Sequence, residues 1–220
     1  MEHEFPKEIM FKNLFMMCTE LNKSAMRDLP PGFHFRTCRR DEVDIWKAMH
    51  LDLPHTPEQY IEHMQSMTDY FNALYAKKAD VFFGKCLFVC DKDDIPVGSC
   101  FIWKAYDKFS TIHWTKVLKK HEGQGLGRAL LTAVMKDLND DDYPVFLHTH
   151  PICYRAIKLY SDFGFRLIAD AVVGYRNNDL EECMPVLEEH MPKEDYESLK
   201  IVKAPQDFLD AASSTKVENF

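Results

Sequence analysis

The chain has 220 residues, 46% hydrophobic and 13% aromatic, with a formal net charge of −8; such a composition builds a full core and excludes a disordered or fibrous chain. The negative charge excludes general affinity for nucleic acid or an anionic membrane, because both need a sustained cationic face. Any anionic ligand must be met by a local positive region.

Seven cysteines (Cys18, Cys38, Cys86, Cys90, Cys100, Cys153 and Cys183) are odd in number, scattered and without CxxC pairing. That usage suits reduced thiols in a cytoplasmic protein, not a disulfide framework or a zinc site.

At the N-terminus, "EIMFKNLFMMCTEL" is strongly apolar, but Glu2, Glu4 and Glu8 replace the cationic flank of a signal peptide, and Lys12 and Asn13 interrupt the run. No stretch approaches 18 uninterrupted apolar residues, so a transmembrane span is not expected. The segment reads as an amphipathic helix lying on the domain, part of an extension over residues 1–32.

"FHFRTC" (33–38) alternates apolar and polar residues as a strand does. Asp41 then caps a helix carrying Val43, Ile45, Trp46 and Met49. A longer helix follows in "TPEQYIEHMQSMTDYFNALYA", with Thr56 as N-cap, Pro57 at the first helical position and Gln59 completing a capping box. Its Ile61, Met64, Met67, Phe71, Leu74 and Tyr75 recur at helical spacing and form core or cleft wall.

Three strands come next, "KCLFVC" (85–90), "IPVGSCFIWKAY" (95–106) and "TIHWTKVL" (111–118), joined by connections short enough for an antiparallel meander. The chain then enters "HEGQGLGRALL", a helix from about 126 to 138, a polar "NDDDYP" turn and the strand "VFLHTH" (145–150). A helix over 151–163 ends at Gly164 as its C′ residue. Further strands are expected within "FRLIADAVVGY" and "EECMPVLEEHM", the latter an edge or bulge because of Pro185. A short helix near 192–200 and a loose tail, "AASSTKVENF", complete the chain. The reading is of one domain over 33–190 with a C-terminal helix and tail over 191–220, without internal repeats.

A strand running through glycines into a helix exposes backbone N–H groups where the helix dipole is positive, a site suited to phosphate or pyrophosphate. Neither GxxxxGK[ST] nor a Rossmann GxGxxG is present, which disfavours a P-loop NTPase and a nicotinamide dehydrogenase. Lys116, Lys119, Lys120 and Arg128 face only Glu122 in this stretch, a local positive excess within an acidic chain.

"VLKKHEGQGLGRALL", followed about 20 residues later by "LHTHPICYRAIKLYSDFGF", resembles the GNAT superfamily of N-acetyltransferases. The match to the pyrophosphate loop, R/Q-x-x-G-x-G/A, falls on Gly125 and Gly127. The match to the second motif falls on Ala156, Tyr160, Gly164 and Phe165. Glu122 stands where the family usually has Arg or Gln, and Cys153 where Asn is common.

The resemblance implies an α/β GNAT-like fold: a mixed, mostly antiparallel sheet of about six to seven strands flanked by helices, its fourth and fifth strands (111–118 and 145–150) splayed apart. It implies acetyl transfer from acetyl-CoA, as co-substrate, to a primary amine of a small-molecule or peptide acceptor. Cofactor contacts fall on Thr115 and Val117 for the pantetheine arm and acetyl carbonyl, on Gly123, Gln124, Gly125, Leu126, Gly127 and Arg128 for the pyrophosphate, and on Cys153 by position. A backbone N–H near Val117 would stabilise the oxyanion, and Tyr160 would protonate the leaving thiolate. The base stays open among His113, His148, His150 and water. The pair His148-x-His150 lacks a third ligand at metal spacing, so no metal is expected. No nucleic-acid or membrane partner is expected, and edge strands near the C-terminus leave room for a homodimer. Two other readings remain: a non-catalytic acyl-CoA-binding or regulatory module, and a protein whose glycine turn is purely structural.

Overall fold

Patterning over the described residues, 5–215 of a computed structural model, resolves into ten strands and eight helices. In chain order these are β1 (Leu14–Cys18), β2 (His34–Thr37), α1 (Val43–Met49), α2 (Pro57–Leu74), α3 (Ala79–Lys85), β3 (Leu87–Cys90), β4 (Pro96–Ala105) and β5 (Phe109–Val117). They continue as α4 (Leu126–Met135), β6 (Val145–Thr149), α5 (Tyr154–Asp162), β7 (Phe165–Ile168), β8 (Val172–Val173), β9 (Arg176–Asn177), α6 (Leu180–His190), α7 (Lys193–Glu197), β10 (Ile201–Val202) and α8 (Gln206–Ser213). Among the described residues no helix is long and apolar enough to cross a membrane.

The chain forms two compact units. Unit one takes Met1–Ala25, Lys104–Thr111 and Asn139–Phe220, and unit two takes Met26–Trp103 and Ile112–Leu138. Two of the four cuts fall inside β4 and β5.

In unit one the strand order is β10-β7-β1-β6-β5. β1 pairs antiparallel with β6 and β7, β10 runs parallel to β7, and β5 meets β6 in parallel at Thr111↔Phe146. One face packs Phe15, Met17, Phe109 and Phe146 under α8, whose Phe208 ring stacks on Phe146 at 3.6 Å. The other face carries Phe165, which pairs with Cys18 and touches Tyr160 of α5.

In unit two the order is β5-β4-β3-β2, with β2·β3 and β3·β4 antiparallel. Phe88, Cys90, Phe101 and Trp103 alternate onto one face and pack with Trp46 of α1, Met67 of α2 and Phe82 of α3. On the other face α4 lies close over Gly98: a Cβ there would meet the Lys116 carbonyl at 2.6 Å, Val89 Cγ1 at 2.9 Å and Leu130 Cδ1 at 3.3 Å. The strand can approach its neighbours here only without a side chain.

Four expectations are corrected. The N-terminal apolar run is a strand, not an amphipathic helix: all five residues of β1 are buried between β6 and β7, so its two faces are equally apolar and no alternation shows. "EECMPVLEEHM" is part of the helix α6, whose Leu180, Cys183 and Leu187 are buried at helical spacing despite Pro185. The tail begins as helix, since α8 buries Phe208 and Ala212; residues 216–220, like Glu2 and Glu4, lie outside the described residues. The helix α3 follows α2 where none was expected. Because β1 precedes them, the strands expected as fourth and fifth are β5 and β6.

Asp41, expected as the cap of α1, lies inside a 3-10 turn over Arg40–Glu42 with Glu42 as the N-cap, and β9 and β10 form where no strand was expected. Thr56 accepts the Gln59 N–H, and the Gln59 side chain accepts the Thr56 N–H at 2.9 Å, closing the capping box of α2. Gly164, with φ of +100°, ends α5.

Candidate functional site

The site in unit two grows from the end of β5. Leu118 N–H bonds the Val97 carbonyl at 2.8 Å, and the chain then makes a 3-10 turn over Lys119–His121. Asp52 accepts the Lys119 N–H that opens this turn and also receives Lys116 Nζ at 3.2 Å. Lys116 is thus matched by a carboxylate, and the positive excess of the stretch rests on Lys119, Lys120 and Arg128. Nothing in "HLDLPHTP" marks Asp52 for this task, since its partners lie 64 and 67 residues downstream.

Past Glu122, which is exposed and extended, the loop turns twice through the left-handed region, at Gly123 (φ +75°) and Gly125 (φ +83°). These are conformations that only glycine adopts freely. They reverse the chain so that α4 starts at Leu126, and the first helical bond runs from Ala129 N–H to the Gly125 carbonyl at 3.0 Å. Its N-cap, Gly125, has no side chain with which to cap it. The N–H groups of the first turn of an α-helix have no partner within it.

The loop's outer side is open. A Cβ on Gly123 would meet nothing within 4 Å, and one on Gly125 only Pro30 Cγ at 3.8 Å. Backbone donors, a helix dipole and lysines beside an open cradle fit a pyrophosphate group such as that of coenzyme A.

The side chains proposed for proton and cofactor chemistry outside the loop occupy different environments. Tyr160 is buried on α5, its ring 5.9 Å from that of Phe165. Cys153 is exposed at the start of α5. His148 pairs across β1 with Phe15, and so lies on the opposite face of unit one's sheet from Phe165 and Tyr160. Both its nitrogens are engaged: Nε2 donates to Asn13 Oδ1 at 2.9 Å and Nδ1 accepts from Arg176 at 3.4 Å. Burial, with the Arg176 charge, holds it well below the usual histidine range. With both nitrogens bonded, His148 has no acceptor nitrogen left in this arrangement.

His113 is also deeply placed, 3% exposed, with Nδ1 2.5 Å from the Tyr75 hydroxyl. His150 shares the face of His148, ring to ring at 4.8 Å, and Nδ1–H donates to the Lys12 carbonyl at 3.0 Å, which leaves the lone pair on Nε2. A different trio, His34, Cys90 and Asp94, has donor atoms within 4.8 Å of one another. Its carboxylate is already held by Arg36 at 2.7 Å and Arg39 at 2.8 Å, cations that oppose a metal ion.

An α/β fold whose meander strand passes through left-handed glycines into a helix with glycine as its N-cap presents backbone donors of the kind that suit an anion. A model of the acetyltransferase (GNAT) family matches residues 45–165, more than half of the chain, and the chain belongs to that family. None of the curated proteins matches it. Solved structures similar to it include a GCN5-related N-acetyltransferase from Sphaerobacter thermophilus, with 22% identity over 64% of this chain and 43% of that one and a TM-score of 0.40. A GNAT-family acetyltransferase from Colwellia psychrerythraea has 14% identity over 71% and 53% of the two chains, with a TM-score of 0.47. A functionally unknown conserved protein from Staphylococcus epidermidis has 15% identity over 76% and 65%, with a TM-score of 0.48. The chain thus spans about half the length of the first two.

Proposed function

We propose that the protein is an acetyl-CoA-dependent N-acetyltransferase acting on a primary amine. The observation that carries this reading is the cradle at 123–128: two left-handed glycines with open space outside them, the second of which is the N-cap of α4. Family membership supports the same cofactor.

In this reading Gly123, Gln124, Gly125, Leu126, Gly127 and Arg128 hold the pyrophosphate, and Thr115 and Val117 hold the pantetheine arm. Bound acetyl-CoA supplies an activated thioester. The Val117 backbone N–H is assigned to the developing oxyanion, since a preorganised donor there is worth about 3 kcal/mol of barrier. Tyr160 is assigned proton donation to the thiolate; its reference pKa of about 10 against about 8.5 makes that step uphill by about 2 kcal/mol, small beside the barrier. Of the three candidate histidines, His150 is the one whose bond to a carbonyl leaves an acceptor nitrogen, which supports it as the base, alone or through water.

Thiol release from acetyl-CoA over a panel of primary amines tests the proposal, with Tyr160→Phe as the comparison. Turnover that falls about a hundredfold in the variant supports the assigned acid. Equal turnover removes Tyr160 from the mechanism, and coenzyme A binding without any turnover converts the reading to a non-catalytic acyl-CoA-binding module.

A further inference from the structure

Two consecutive side chains of β5 reach one hydroxyl. Tyr75, which closes α2, is fully buried; its Oη lies 2.5 Å from His113 Nδ1 and accepts the indole N–H of Trp114 at 3.1 Å. In a regular strand, residues 113 and 114 would point to opposite faces. Both lie on the α1–α3 side, where His113 meets Phe101 and Trp114 packs against the same core as Tyr75.

The cause is the backbone of Trp114, whose φ is +51°. A bulky side chain in the left-handed region costs of order 1–3 kcal/mol and persists only when its surroundings hold it there. Such a residue turns two neighbours to one side, as in a β-bulge. The surroundings here are specific. The Trp114 carbonyl accepts the Ser99 hydroxyl at 3.0 Å, and its indole packs on His50, Tyr70 and Trp46 with ring centroids 4.7, 5.3 and 5.7 Å away. An indole N–H is only a donor, so the Tyr75 oxygen must accept it.

We propose that Tyr75 is a positioning residue: its hydroxyl clasps His113 and Trp114 to one side of β5, sets the bulge, and thereby aims the backbone of 115–117. This rests on the N-acetyltransferase reading, which gives Thr115 and Val117 their roles. Tyr75 touches neither substrate nor cofactor in this account and acts through Trp114. Burial raises the Tyr75 hydroxyl well above the usual tyrosine range, so it is protonated at neutral pH.

Tyr75→Phe keeps the ring in the core and deletes the clasp. The expected result is amide hydrogen exchange about tenfold faster in the peptide spanning β5, from local opening. Turnover falls about ten- to a hundredfold through misalignment, while calorimetric affinity for coenzyme A falls by less than turnover does, because the pyrophosphate loop is untouched and only the arm's contacts at Thr115 and Val117 shift. Trp114→Phe, which removes the N–H but retains a ring, gives the same losses, and the double variant loses no more than either single one. Wild-type exchange over β5 in either variant overturns the clasp, as do kinetic losses that add in the double variant. If the wild type turns over no amine, the functional reading fails on its own, and the exchange measurements still decide the clasp; they do so through Trp114→Phe if Tyr75→Phe does not fold.

Discussion

In its segment 112–128, unit two turns through left-handed backbone at two places for opposite reasons. At Gly123 and Gly125 the chain turns because nothing stands in the way, and the space outside is kept open. At Trp114 it turns because a large side chain is gripped from several directions, by the Tyr75 hydroxyl and by the rings of Trp46, His50 and Tyr70. One site is built by removing atoms and the other by adding them. A cradle for a ligand must leave its donors uncovered, whereas a bend that aims a strand must be held by packing. Asp94 falls between them: its φ of +62° is one that aspartate tolerates in turns, and Arg36, Arg39 and His34 hold its carboxylate.

The contrast can be broken at either end. Gly125→Val should have the largest effect, because the side chain both strains a left-handed position and covers backbone donors; losing about two charge-assisted bonds predicts roughly a hundredfold weaker coenzyme A binding or more. Trp114→Gly should destabilise despite giving the position its easiest residue. About 3 kcal/mol of lost packing outweighs about 1 kcal/mol of relieved strain, and urea unfolding would show the difference. A stabilised Trp114→Gly would mean that the bend is not held by its side chain.

The Asp94 turn predicts an acid effect. Hydrogen bonds from Arg36, His34 and Arg39 hold its carboxyl well below the usual aspartate range. A folded pKa below the unfolded one contributes stability that is present above pH of about 4 and lost as pH falls further. Arg36→Gln should therefore lower the unfolding temperature at neutral pH, and the gap from the wild type should begin to narrow below about pH 4 and close only as pH falls through the lower folded value. Parallel curves in scanning calorimetry would contradict the assignment. The smallest effect belongs to Glu122→Gln. Removing one exposed carboxylate beside an anion site should tighten coenzyme A binding by no more than about fivefold, the scale of a solvent-screened pair.

The open half of the contrast was legible in the chain and the gripped half was not. "GQGLG" announces left-handed turns because glycine has no other reason to recur so closely before good helix formers, and the Thr56 capping box was equally plain. Tryptophan is no turn residue, so nothing local marks Trp114; its conformation is imposed by Tyr75, 39 residues earlier. β1 was hidden because a central strand is apolar on both faces and resembles a buried helix, and α6 because Pro185 argued against helix. His148 and His150 were rightly placed on one face by their spacing. Their hydrogen bonds to Asn13 and Lys12, which help separate the fully bonded ring from the one with an acceptor nitrogen, come from 135 and 138 residues away.

The central claim is that the loop at 123–128 receives the pyrophosphate of coenzyme A. Titrating coenzyme A into the wild type and into Gly125→Val by calorimetry, with circular dichroism confirming that both are folded, tests it most directly. The account predicts saturable binding by the wild type and loss of that binding in the variant. Binding of equal strength by both proteins, or none by the wild type, would contradict it.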